Sequence, residues 1–194
     1  MKSLSTLLLL VLGVSMLSAQ HSKQDQIDMA LLAAPEAARA GAHVYGFDEE
    51  GKMVTLRKGT NDWIVRSTNP KSPNFEVVCY KRDVEPFMAR GRELRAEGKN
   101  RAEVFDIREK EMAAGTLQKP DKGSTLSIYY GGDARYNAET KSLEGGKFRY
   151  VVYMPLATQE TTGLPLRPHG KGHPWLMFPG LYRAHIMITP PDAN

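Results

Sequence analysis

The chain has little cysteine, no membrane-length apolar run and almost no surplus of one charge. One cysteine in 194 residues forbids an intrachain disulfide, and with it a stapled small-domain scaffold. The longest apolar stretch, Leu7 to Val14, is broken soon afterwards by Ser15 and Ser18, far short of the ~20 apolar residues that a membrane span needs. Twenty-six basic residues stand against 22 acidic ones, a net charge of +4. So small an excess argues against a dedicated polyanion binder, and no nucleic-acid partner is expected. Also missing are G-x-S-x-G, H-E-x-x-H and paired-cysteine metal motifs. An apolar fraction of 41% excludes wholesale disorder and collagen-like sequence.

The first nineteen residues carry a different message. Met1-Lys2-Ser3 gives a positive start, Leu7 to Val14 an apolar centre, and Met16-Leu17-Ser18-Ala19 the small residues at which a signal peptidase cuts. That order reads as a secretory signal peptide over 1–19. No cysteine follows the cut, so a lipid anchor is not expected. Removing the segment takes Lys2 with it and leaves 175 residues of net charge +3. They are enough for one domain, assigned to 20–194, in the periplasm or outside the cell.

Periodicity within that domain changes several times. Gln24 to Arg39 has apolar positions at helical spacing, divided by Pro35 into two short helices. From Ala42 the period becomes two, predicting strands at His43–Phe47, Met53–Leu56 and Trp63–Val65, with turns at Asp48–Gly51 and Lys58–Asp62. A strand follows around Cys79. Val84 to Gly115 is highly charged and helical in pattern, divided at Gly98, with Asn100 as N-cap of its second helix and i,i+4 pairs expected at Glu97/Arg101 and Asp106/Lys110. Strands return at Thr125–Tyr130, Phe148–Met154, Trp175–Phe178 and Ala184–Ile188, with loops between them. The sum is an α+β fold, a mainly antiparallel sheet with the helical segment of about 84–115 packed on one face.

Few residues offer chemistry. Cys79 sits in an apolar strand pattern and reads as a buried thiol; an intermolecular disulfide or a nucleophile are the alternatives, although nothing local would generate a thiolate. His169, His173 and His185 could supply three imidazoles to zinc with an open position for water. Against this, two glycines separate His169 from His173, removing the helix that normally aligns H-x3-H, and Lys171 would oppose a cation. His185, on a strand, is a candidate general base or ligand contact, or a buried neutral imidazole with a backbone or carboxylate partner. Asn61 in Gly59-Thr60-Asn61 is a candidate binding residue or a turn former. Trp63 and Trp175, with Tyr129, Tyr130, Tyr150 and Tyr153, could form an aromatic ligand platform or simply pack a sheet. Gly170-Lys171-Gly172 could hold an anion, without the strand-to-helix setting of a phosphate loop.

Two segments carry a resemblance. Gly59-Thr60-Asn61-Asp62-Trp63, followed downstream by Pro174-Trp175-Leu176-Met177, Gly180 and Ala184-His185-Ile186-Met187, resembles a family of uncharacterised secreted bacterial proteins with a GTN-x-W segment and a C-terminal PW-x-M…G…AH-x-M motif. The likeness runs from about Ala34 to Pro190. It implies a bacterial, exported protein and no particular activity. Relatives often carry a cysteine two residues after the tryptophan, where Val65 stands here, so the disulfide the resemblance suggests cannot form. They also tend to carry Gly-Pro-His where this chain has Lys147-Phe148-Arg149.

These readings favour an exported, non-catalytic module that binds a small ligand or an envelope protein, without a cofactor. The alternative is a small exported hydrolase or metal-dependent enzyme using His185 with His169 or His173. A third reading gives the charged helices a role in assembly.

Overall fold

Alternation decides the architecture. In Phe75–Lys81 (β4), Val77 and Cys79 point to one side and Val78 and Tyr80 to the other, and all four are buried. A strand apolar on both faces needs a layer on each. The computed structural model, which describes residues 21–191, supplies both. Residues 1–19, read from the sequence as a signal peptide, lie outside the described residues.

Eight strands form the main sheet: His43–Phe47 (β1), Met53–Arg57 (β2), Trp63–Arg66 (β3), β4, Thr125–Gly131 (β5), Lys147–Tyr153 (β8), Trp175–Met177 (β9) and His185–Ile188 (β10). Their order is β2-β1-β3-β4-β5-β8-β10-β9, and Arg135–Asn137 (β6) pairs with Ser142–Glu144 (β7) as a separate hairpin. All pairings are antiparallel except β1 with β3. The fold is thus α+β, as the changing periodicity indicated.

On one face lies Lys23–Leu31 (α1), opened by a capping box in which Ser22 accepts from the Asp25 N–H and Asp25 from the Ser22 N–H. Its Ile27, Met29 and Ala30 bury against Val44, Val65, Val77 and Cys79. Glu36–Arg39 (α2) follows, beginning directly after Pro35. The β6–β7 hairpin, read from the sequence only as loop, clamps α1. Tyr136 packs into the same cluster, and Lys141 Nζ lies 2.9 Å from the Asp28 carboxylate.

On the opposite face lie Glu85–Ala96 (α3) and Arg101–Ala113 (α4). Asn100 caps α4 by accepting from the Ala102 and Glu103 N–H groups. Phe87 and Met112 meet Ile64, Val78, Tyr80, Leu126 and Val151. Among the described residues the expected pairs Glu97/Arg101 and Asp106/Lys110 do not form, although another i,i+4 pair, Lys99 with Glu103 at 3.9 Å, does. Arg90 bridges the helices instead, 2.8 Å from Glu111, with Glu93 at 3.2 Å and Glu97 at 3.6 Å. At the other end of the sheet a single turn, Gln159–Thr162 (α5), leads into a segment whose Leu164 closes over Leu176 and Ala184. No helix among the described residues is long and apolar enough to cross a membrane.

Candidate ligand-binding site

The expected binding residues of the Gly59-Thr60-Asn61 segment are consumed by the fold. The Thr60 and Asn61 N–H groups both donate to the Gly41 carbonyl, at 2.8 and 3.1 Å. Asn61 Nδ2 donates to the Ala38 carbonyl at 2.9 Å, and its Oδ1 accepts from the Trp63 N–H at 3.0 Å. The segment therefore ties the end of α2 to the start of β3. A Cβ on Gly59 would stand 2.5 Å from the His43 backbone nitrogen, so only glycine allows this approach. Its N–H donates to His43 Nδ1 at 3.4 Å. Trp63 packs into the α1-side cluster, with Lys81 Nζ 5.4 Å from its ring centroid.

The three histidines do not converge. His169 and His173 are exposed in the loop before β9, whereas His185 is only partly accessible. His185 Nδ1 bonds the Arg183 carbonyl at 2.7 Å, and its ring meets Tyr153 and Phe178 edge-on, each at 5.7 Å. Burial holds this imidazole below its ordinary pKa, helped by the nearby charges of Arg183 and Arg149. His173 belongs to the other end of the strand. The loop containing it is fastened by the Gly172 N–H to the Thr189 carbonyl, at 2.9 Å. Four residues of strand, about 13 Å, separate Thr189 from His185. Among the described residues no group of three His, Cys, Asp or Glu side chains could hold a metal ion.

Around His185 the polar groups are tied up in packing. Arg183 lies 4.4 Å from the Phe178 centroid and 4.6 Å from that of Phe105. Arg108 lies 3.8 Å from that of Phe87 and donates to the Phe87 carbonyl at 2.9 Å. Aromatic faces thus take the place of carboxylate partners for two cations. Cys79 is fully buried, and burial pushes its thiol up to about 12, which suits the inert reading.

The expected aromatic platform is split by the pleat. Tyr129 and Tyr150 join Phe148 on the α1 face, with centroids 4.4 and 4.6 Å from that of Phe148. Tyr130, Tyr153 and Trp175 belong to the α3/α4 face, since β-strand neighbours alternate.

Trp175, Lys171 and His173 are the sequence candidates that reach a cavity. A cleft of about 450 Å³ opens at the ends of β8 and β10, where Lys147, Arg149, Lys171 and His173 surround Trp175 and Thr189. Pro168, Pro190 and Pro191 complete its apolar wall. Arg149 is held in place: its Nε donates to Thr189 Oγ1 at 3.0 Å, an Nη donates to the Tyr130 hydroxyl, and the guanidinium carbon sits 4.6 Å from the Tyr130 centroid. Sequence reading missed Lys147 and Arg149 because they are i,i+2 on a strand that reads as ordinary alternation. They share a face with Thr189 only through the β8–β10 pairing. Of the legible Gly170-Lys171-Gly172 segment, Gly170 and Lys171 line this cleft.

No family model, curated protein or solved structure matched this chain. The chemistry of the cleft is therefore read from its residues alone.

Proposed function

We propose that the chain is an exported bacterial binding module that holds a small ligand in the cleft beneath the loop 168–173 and does not transform it. One observation carries this reading: a cavity of about 450 Å³, within the range usual for small-molecule sites, has a guanidinium fixed in its wall before any ligand arrives. Preorganisation of that kind favours binding by lowering its ordering cost. The lining supports a receptor better than a hydrolase. It holds His173 but no carboxylate, so the described residues bring no acid–base pair to the cavity. His185, the favoured catalytic candidate, spends its Nδ1 on a backbone carbonyl.

Two measurements test the reading. N-terminal sequencing of the protein recovered from the periplasm or medium should begin at Gln20; an uncut chain retained in the cytoplasm would end the export half of the proposal. Thermal-shift screening against small carboxylates, phosphates, sugars and amines should yield stabilising ligands whose effect is lost in Lys171→Gln and Trp175→Phe but kept in His185→Asn. Turnover of a hit that disappears with His185→Asn would replace the proposal with the enzyme alternative.

A further inference from the structure

We infer that the cleft at the ends of β8 and β10 receives a dianionic headgroup of the phosphate-monoester type, carried on a flat apolar ring. The inference rests on the cleft being a ligand site and assigns the class of ligand. Charge sets the head. Lys147, Arg149 and Lys171 line one cavity to whose wall the described residues bring no acidic side chain, and among the described residues none of the three takes part in an ion pair. In a chain whose net charge is only +4, three cations at one point are a local concentration rather than a general property. A monocarboxylate would leave two of them facing each other. A phosphate monoester, with roughly −1.5 to −2 charges at neutral pH, answers more of them.

Donor geometry agrees. With Nε committed to Thr189 and one Nη hydrogen to Tyr130, Arg149 retains donors on its outer edge, in the fork that suits a planar or tetrahedral oxyanion. Lys171 rides on the loop pinned by Gly172 to Thr189 and can approach from the opposite side. Trp175 sets the remainder of the ligand. Its indole is half-buried in the same wall, beside three proline rings, and such a surface takes a flat apolar body by stacking and exclusion of water.

Calorimetry on the full chain at low salt, with phenyl phosphate as probe, tests this against inorganic phosphate, benzoate, phenol and benzylamine. Phenyl phosphate should bind at least about tenfold more tightly than any of the other four, the ratio expected when one charge-assisted contact or one stacked ring is withheld. Lys171→Gln, whose native side chain forms no hydrogen bond or ion pair with any described residue and which should fold normally, is expected to weaken it about tenfold. Arg149→Lys keeps the charge, loses the fork and should weaken it similarly. Added salt should lower the affinity steadily, and quenching of tryptophan emission by the probe should vanish in Trp175→Phe. Benzoate binding as well as phenyl phosphate would overturn the dianion assignment. Phenol or benzylamine binding in a Trp175-dependent way would overturn the anionic class while leaving the cleft a ligand site. Failure of every probe, together with an empty thermal-shift screen, would remove the binding reading itself.

Discussion

Gln26 is a polar side chain at a buried position of α1, 6% exposed, and it works as a surrogate strand. Its Nε2 donates to the Phe47 carbonyl at 3.0 Å, and its Oε1 accepts from the Phe47 N–H at 2.8 Å. Phe47 lies just past the last β1 residue paired with β3, so its inward-facing amide groups would otherwise be orphaned. A Cβ on Gly46 would stand 2.6 Å from the same Oε1, which explains a glycine in mid-strand. Replacing Gln26 with Leu preserves volume but strands both backbone groups. The expected loss is about 2 kcal/mol, read as a melting temperature lower by roughly 4–8 °C. Gln24→Leu, on the exposed side of the same helix, should change it little. A glutamine in an Ala-rich segment gives no hint of such a role, because the partner is 21 residues away and is backbone. The same holds for Asn61: its side-chain chemistry was legible, but its partner, the Ala38 carbonyl, was not.

Between elements, register is the informative quantity. Antiparallel pairing of β3 with β4 sets Val65 directly opposite Cys79, both buried. Directly opposed residues in such a ladder have Cα atoms about 4.5–5.5 Å apart, inside the range a disulfide spans. Val65→Cys should therefore oxidise to a disulfide with Cys79. The bridge would close a loop of about 15 residues, worth about 3 kcal/mol on the chain-entropy estimate. Thiol titration in denaturant should find no free thiol in the oxidised variant, and its urea midpoint should rise and fall back on reduction. Two free thiols would refute the register. Strand positions and helix breaks were largely legible in the sequence: Pro35, Asn100 and the two-residue alternation each act through neighbours within four residues. Pairing was not. The parallel β1–β3 contact depends on β2 returning along the outer side of β1, and the three-residue β6 and β7 are too short to show a period. Arg90 reaches Glu111 in addition to Glu93 of its own helix only because α4 packs beside α3. Likewise, Lys147, Arg149, Lys171 and Trp175 come from three sequence segments, and only the β8–β10–β9 order makes a cleft of them.

At the scale of the molecule, two imidazoles connect the packing of both ends of the sheet to pH. His43, at the β1 end, accepts the Gly59 N–H at Nδ1 and has its Nε2 buried without a partner among the described residues. Burial chiefly, and then Arg82, hold it below the ordinary histidine value against an opposing pull from Glu85. His185, at the β10 end, is lowered by burial and by Arg183 and Arg149, against its bond to the Arg183 carbonyl. In the unfolded chain both would return to the ordinary value near 6.5, so below that pH the unfolded state binds more protons than the native one. Stability then rises with pH through the window and is complete above it. The urea midpoint should be flat from pH 8 to 7 and fall as pH drops below 6.5. Asp25 and Glu160, whose carboxyls lie below their ordinary values through bonds with Ser22 and Thr158, add a loss only below about pH 4.5. The step between pH 6.5 and 5 therefore belongs to the histidines. His185→Asn, which can keep a donor for the Arg183 carbonyl, should remove part of that step, and adding His43→Asn should flatten it. A step of unchanged size in the double variant would show that neither imidazole is buried in its neutral form. Because His185 lies about four strand residues from the ligand cleft, affinity at the cleft should be unmoved by the same substitution, which separates the imidazole that packs the fold from the cations that face the solvent.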